Sequence, residues 1–154
     1  MRVGHSRDSL ACADFALGLA ITGMRKGEAN TLEWRDLDFK ASEIVVRGDA
    51  VFGTKGGEGW RRVPMIPDAR TLFEPLRAER AQEPLNAKVF QIRECQKSLD
   101  RACKKVGADR ITHHDLQHTA QVPVGFHEES AAVLEEIHTV FTRCLRCDGI
   151  YRFL

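Results

Sequence analysis

The chain has 154 residues, which fits one domain, and 43% of them are apolar, as is ordinary for a soluble globular protein. No apolar run is long enough to span a membrane, and no signal-peptide cleavage pattern follows the first residues. The five cysteines are odd in number and scattered, which argues against a disulfide framework and favours a reducing, cytoplasmic location.

The charge is unevenly distributed, although the formal net charge of +1 by itself gives little support for nucleic-acid binding. Residues 121–154 contain three arginines and five carboxylates, which leaves 20 basic and 17 acidic residues before them. Any basic surface that faces a nucleic acid is therefore expected before residue 121.

The first half of the chain predicts two helices and a small sheet. Apolar residues recur at helical spacing from about residue 8 to 22, which indicates a largely buried helix ending at Gly23. A short helix from Lys26 to about Leu32 is expected next. Three strands are then expected, with Pro64 at an edge or irregularity: Glu43–Arg47, Val51–Phe52 and Arg61–Ile66.

The second half predicts further helices. One begins at an Asp68 cap and runs to about Arg80, with Pro75 expected to kink or shorten it. The others are expected at Arg93–Val106, after a cap at Thr112, and at about 130–145, where the apolar spacing is clearly amphipathic. The fold class is therefore α+β, mostly helical, with a small antiparallel sheet of about three strands.

Three segments carry residues suited to phosphate chemistry: TGMRKGE at 22–28, TKGG at 54–57 and HHDLQHT at 113–119. In this order they resemble the catalytic domain of the tyrosine recombinases, the phage integrase family, over about residues 13–120. The resemblance implies a mobile-element enzyme that breaks and rejoins double-stranded DNA without a metal or nucleotide cofactor. It also implies a tyrosine-recombinase-like fold with a three-stranded antiparallel sheet.

The resemblance assigns a role to each matching residue. Arg25 corresponds to the first phosphate-binding arginine, and a guanidinium suits two phosphate oxygens. Lys55 corresponds to the hairpin lysine that protonates the leaving oxygen, and His114 to a histidine that handles the tyrosine proton and the phosphate. The alternatives are a surface arginine, a solvated turn lysine and a helix-start histidine.

Additional cations accompany these residues. Arg61 and Arg62 follow the glycine-rich turn and are candidate contacts to the DNA backbone. His118 lies one helical turn from His114 and is a further candidate DNA contact. The turn is not a phosphate-binding P-loop, because no Lys-Ser/Thr pair follows its glycines.

Gln117 departs from the family, which has its second arginine at this position. Glutamine retains a hydrogen-bond donor but lacks the charge and the fixed fork. Losing one preorganised donor to a developing oxyanion typically costs about 3–4 kcal/mol. We therefore expect cleavage to be impaired or absent while weak DNA binding survives.

The resemblance ends near Ala120, and residues 121–154 form a divergent tail of what is otherwise a single integrase-like domain, 1–154. The resemblance implies a tyrosine nucleophile; if activity survives, this is Tyr151 by elimination, because it is the only tyrosine, although its neighbours are not family-like. A tail read in another frame would explain the abrupt change. The helix near 130–145 is a candidate contact to another copy or another recombinase, and the family's preceding DNA-binding module is expected to be absent.

Two other interpretations remain open. A non-catalytic DNA-binding or recombinase-interacting remnant belongs to a different functional class, and a plain α+β domain with chance matches is the third. No metal site is expected: His114 and His118 have no acidic or cysteine ligand at suitable local spacing, and Cys144 and Cys147 form one Cys-x-x-Cys without a second pair.

Overall fold

The computed structural model describes residues 3–48, 59–107 and 109–120. Its helices and strands follow in this order: α1 (Val3–Thr22), α2 (Lys26–Thr31), β1 (Leu37–Asp38), β2 (Glu43–Arg47), β3 (Trp60–Pro64), α3 (Pro67–Glu79), α4 (Gln96–Val106) and α5 (His113–Ala120). A 3-10 turn, Trp34–Asp36, joins α2 to β1. The described residues therefore confirm a mostly helical α+β fold with a small antiparallel sheet.

Helix α1 forms the centre of the core because it carries apolar side chains on several faces. Phe15, Ala16 and Leu19 are fully buried, and the helix contacts α2, α3, α4 and, most extensively, α5. It ends at Gly23, whose φ of 66° suits glycine and whose N–H donates to the Leu19 carbonyl. The predicted first helix is confirmed, although it begins earlier, at Val3.

An aromatic cluster fixes the connection between α3 and α4 against α1. The Phe90 ring packs edge-on to Phe15 at 5.4 Å and lies 6.1 Å from the Phe73 ring, measured between centroids. It also rests on the α1 backbone at Gly18, where a Cβ atom would overlap the ring. A glycine in mid-helix is tolerated here because the close approach of Phe90 requires it.

The sheet has the order β1-β2-β3 and is antiparallel throughout. The central strand β2 alternates, with Ile44 and Val46 buried and their neighbours partly exposed. Pro64 ends the edge strand β3, as expected for a residue that cannot donate to a ladder.

Strand β1 was not expected, because two residues carry no detectable alternation; it forms only because Leu37 and Asp38 pair with β2. The expected strand at Val51–Phe52 lies outside the described residues, as do Lys55, the helix at about 130–145, and Tyr151.

Two helix starts differ from the sequence prediction. Helix α3 begins at Pro67 with Ile66 at the N-cap, so the expected Asp68 cap was wrong; a proline at the first helical position costs no hydrogen bond and presets φ. The helix also continues through Pro75 to Glu79 instead of being shortened. Helix α4 begins at Gln96, three residues later than expected. None of the described helices is long and apolar enough to cross a membrane.

Candidate active site

Arg25 stands at the turn between α1 and α2. The preceding Met24 is fully buried, whereas Arg25 is exposed and has the extended backbone of an N-cap residue, with φ −69° and ψ 153°. Within the described residues its guanidinium makes no hydrogen bond or ion pair. The turn therefore presents a cation to solvent from a backbone that is anchored on both sides.

Glu28 anchors that backbone, and no hydrogen bond or ion pair joins it to the Arg25 guanidinium in the described residues. It is only 6% exposed, and its Oε2 accepts a 2.7 Å hydrogen bond from the Arg25 N–H. Its two oxygens also accept bonds from the Arg61 guanidinium, at 2.6 Å and 3.0 Å. Glu28 follows Arg25 by three residues, and it holds the Arg25 backbone rather than the guanidinium.

Strand β3 is joined both to β2 and to α2. The Gly48 N–H donates a hydrogen bond to the Gly59 carbonyl, next to the last residue pair of β2 and β3, Arg47 and Trp60. Arg61 follows two residues after Gly59 and reaches Glu28 of α2. The structure thus ties β3 to the Arg25 turn, whereas Lys55 lies outside the described residues.

Helix α5 carries the HHDLQHT segment, and its start is capped as the sequence predicted. The Thr112 hydroxyl accepts from the Asp115 N–H at 3.3 Å, and the Asp115 carboxylate accepts from the Thr112 N–H at 2.8 Å. The Thr112 hydroxyl also bonds the Asp115 carboxylate at 2.7 Å, and this contact, followed by that of the Thr112 N–H, lowers the pKa of Asp115. Leu116 is fully buried, which fixes the rotation of the helix.

The opposite side of α5 presents the polar motif residues. His114 and His118 are exposed and share a hydrogen bond between their Nε2 atoms at 3.0 Å. Gln117 is partly exposed, and its amide makes no hydrogen bond within the described residues. Because one Nε2 must donate and the other accept, the tautomers of the two histidine rings depend on each other.

Glu94 links the TGMRKGE segment to the HHDLQHT segment, a connection that the sequence did not reveal. Its carboxylate lies 2.7 Å from Nζ of Lys26, the residue after Arg25, and 3.3 Å from Nε2 of His113, the residue before His114. The Lys26 hydrogen bond is the main reason why the pKa of Glu94 is lowered to about 2. Arg25 and His114 therefore lie on segments held by the same carboxylate.

His113 itself is a structural residue. It is mostly buried, its ring packs edge-on to Phe15, and its Nε2 also lies 3.3 Å from Sγ of Cys95. Burial lowers the pKa of His113, so at neutral pH its contact with Glu94 is a hydrogen bond of a neutral imidazole. Burial also raises the pKa of the Cys95 thiol to about 12, which leaves it without nucleophilic character.

The two arginines of β3 have different environments. Arg61 is bound to Glu28, whereas Arg62 is more exposed, pairs with Glu43 at 2.5 Å and lies 5.8 Å from the centre of the Trp60 ring.

Among the described residues no three His, Cys, Asp or Glu side chains are grouped so that they could hold a metal ion.

Comparison with known proteins identifies the same family as the motifs. Residues 6–124 match the model of the phage integrase family, a range that includes Arg25, Lys55, His114 and Gln117 but not Tyr151. A tyrosine recombinase XerC of Corynebacterium glutamicum is 30% identical over 113 residues, which are 66% of this chain and 34% of the relative. The chain thus spans about a third of that relative's length.

A solved structure, that of XerA recombinase, has a similar fold. It superposes with a TM-score of 0.54 at 20% identity, covering 96% of this chain and 64% of the other. At this identity the likeness concerns the fold.

Proposed function

The chain belongs to the phage integrase family, and from that membership we propose that it is a DNA breaking and rejoining domain of the tyrosine recombinase type. The observation that carries the proposal is the Arg25 turn: an exposed guanidinium without a partner in the described residues, on a backbone held by a buried carboxylate. Such a cation is preorganised for an external anion, here a phosphate of double-stranded DNA.

The proposed reaction is a metal-free transesterification. The Tyr151 oxygen attacks phosphorus, a 3′-phosphotyrosyl bond forms, and the bond to the 5′ oxygen breaks. Lys55 donates a proton to that departing oxygen, and His114 receives the tyrosine proton. Arg25 stabilises the negative charge that builds up on the non-bridging oxygens.

Gln117 weakens this arrangement. Its amide can donate one hydrogen bond to the phosphate where a guanidinium would supply a charged fork. We propose that the enzyme consequently cleaves DNA slowly or not at all. The loss of one donor typically lowers the rate by a factor of about 10²–10³. DNA binding through Arg25, Lys55, Arg62 and His118 is expected to remain.

The second candidate is a non-catalytic remnant that binds DNA or another recombinase, and the neutral Gln117 favours it. In this case the helix near 130–145 would bind a second copy or a related recombinase. Either function would be exercised in the cytoplasm, on DNA of a mobile element or its host.

A covalent-adduct assay separates the two candidates. The protein is incubated with a labelled pool of nicked duplexes of random sequence, and a DNA adduct is sought on a denaturing gel. An adduct that disappears in Tyr151→Phe supports catalysis, and Gln117→Arg should increase its yield at least tenfold, since the arginine restores a charged phosphate contact. If neither the native protein nor Gln117→Arg forms an adduct, the catalytic proposal is wrong and the remnant is favoured.

A further inference from the structure

The Arg61 guanidinium is already paired with a carboxylate of this chain, unlike a guanidinium that is free to bind a DNA phosphate. Its Nη1 and Nη2 atoms lie 2.6 Å and 3.0 Å from the two oxygens of Glu28, a bidentate pair. The Glu28 side chain is 6% exposed, whereas that of Arg61 is 44% exposed. The pair therefore joins the interior of the α2 turn to the edge of the sheet.

We propose that Arg61 is a positioning residue, which acts on DNA binding through Glu28 and Arg25 and not by contacting phosphate itself. This inference rests on the proposed function, because it concerns how the Arg25 guanidinium is aimed at a phosphate. Glu28 accepts the Arg25 N–H at 2.7 Å with the same Oε2 that receives the Arg61 Nη2.

The charges support this role. The positive charge of Arg61 is neutralised by a carboxylate that has no other cation beside it in the described residues, so little net charge remains for a phosphate. Without Arg61, a nearly buried carboxylate would keep only one backbone N–H, which is unfavourable. Glu28 would then turn toward water and release the Arg25 N–H, leaving the N-cap of α2 without its partner.

The same pair joins two elements of the fold. Arg61 lies on β3, two residues beyond Gly59, whose carbonyl accepts a hydrogen bond from the Gly48 N–H. The Glu28–Arg61 pair therefore ties the first residues of β3 to the Arg25 turn.

A double-mutant cycle tests the proposal. Binding of mixed-sequence duplex DNA is measured by gel retardation at low salt for the native protein, Arg25→Ala, Arg61→Ala and the double variant. Each single variant should weaken binding by about tenfold, and the double variant should bind no worse than Arg25→Ala, because Arg61 acts only through Arg25. Effects that multiply to about a hundredfold would show an independent DNA contact and overturn the proposal.

Arg62→Ala is the matched control. It removes the same charge from the same strand, but Arg62 pairs with Glu43 on the sheet, whereas Arg61 pairs with Glu28. Its effect on binding should multiply with that of Arg25→Ala. Coupling of equal size for Arg62 and Arg61 would mean that any lost charge on β3 produces the result, which also contradicts the proposal.

Two further measurements keep the inference testable if Arg61→Ala folds poorly or no DNA is bound. Arg61→Lys keeps the charge but cannot form the two-pronged contact, so it should lose most of the affinity that Arg61→Ala loses. Full affinity in Arg61→Lys would overturn the proposal. Amide hydrogen exchange at Arg25, measured without DNA, should accelerate in either variant, and unchanged exchange would also overturn it.

These measurements distinguish a failure of the proposed function from a failure of the positioning role of Arg61. If the native protein binds no DNA, the proposed function is wrong, while hydrogen exchange still decides whether Arg61 holds the Arg25 backbone. If the native protein binds DNA and the cycle is additive, only the positioning role is wrong.

Discussion

Asp14 is an acidic residue placed where water reaches it poorly. It lies on α1, the central helix, is partly buried, and makes no hydrogen bond or ion pair within the described residues. Burial, followed by repulsion from Glu79, raises the pKa of Asp14 from 3.8 to about 6. The charged form is thus less stable in the folded state than in the unfolded chain, and Asp14 opposes folding at neutral pH.

Asp14→Asn should therefore stabilise the protein in a pH-dependent manner. The folded pKa is the higher one, so the cost of the charge is absent below pH 3.8, grows between pH 3.8 and 6, and is complete above pH 6. The free energy of unfolding should rise by up to about 3 kcal/mol at pH 7.5, with no gain near pH 4, as measured by urea denaturation. Asp109→Asn, on an exposed loop, serves as control; a gain in Asp14→Asn that is the same at both pH values would contradict the assignment.

The capped start of α5 determines which side chains of the HHDLQHT segment face outward. Thr112 and Asp115 bond each other's backbone N–H groups, while Leu116 points into the core. These local contacts set where the helix begins and which side faces out. His114 and Gln117 therefore face solvent because of the cap and one buried leucine.

Thr112→Ala should loosen this helix start. The loss of an N-cap hydroxyl typically costs about 1 kcal/mol, and we expect a decrease of that size in the free energy of unfolding. Faster amide exchange at Asp115 should accompany it, because that N–H loses its acceptor. Thr71→Ala is the matched control, since the Thr71 hydroxyl bonds a carbonyl inside α3 and caps nothing. Equal effects of the two substitutions would argue against the cap.

Glu94 connects elements that are far apart in the chain. It bonds Lys26 of α2, accepts the N–H of Gln96 at the start of α4 and lies beside His113 of α5. The contacts with Lys26 and Gln96 are exposed, so they stabilise the fold only modestly. Their main effect is geometric, because they hold the Arg25 turn and the His114 helix at one spacing.

Glu94→Gln should accordingly change DNA binding more than stability. The free energy of unfolding should fall by less than about 1 kcal/mol, as for exposed pairs. Removing an acidic group would by charge alone strengthen DNA binding, so a several-fold weakening in gel retardation would isolate the geometric role. Glu74→Gln removes an equally exposed carboxylate that pairs with Arg70. If Glu94→Gln strengthens binding as much as Glu74→Gln does, the spacing role is wrong.

Much of the fold was predictable because its signals are local. Helical spacing of apolar residues predicted α1, a glycine predicted where α1 ends, and Thr112 predicted the start of α5. The order of three short motifs was enough to indicate the family and to single out Arg25 and His114. The Asp68 cap failed because an adjacent proline, itself a local signal, was the stronger helix start.

The partners of the charged residues were decided only by the tertiary structure. The sequence placed Glu28 one helical turn from Arg25 and Arg61 near DNA, yet the fold joins Glu28 to Arg61 across 33 positions. Glu94 reaches Lys26 across 68 positions. A carboxylate can pair with any cation that the chain brings near, and local patterns do not encode that choice. The sequence therefore determined the family and the candidate residues, and the packing of α2, β3 and α5 determined which charged residues pair with one another.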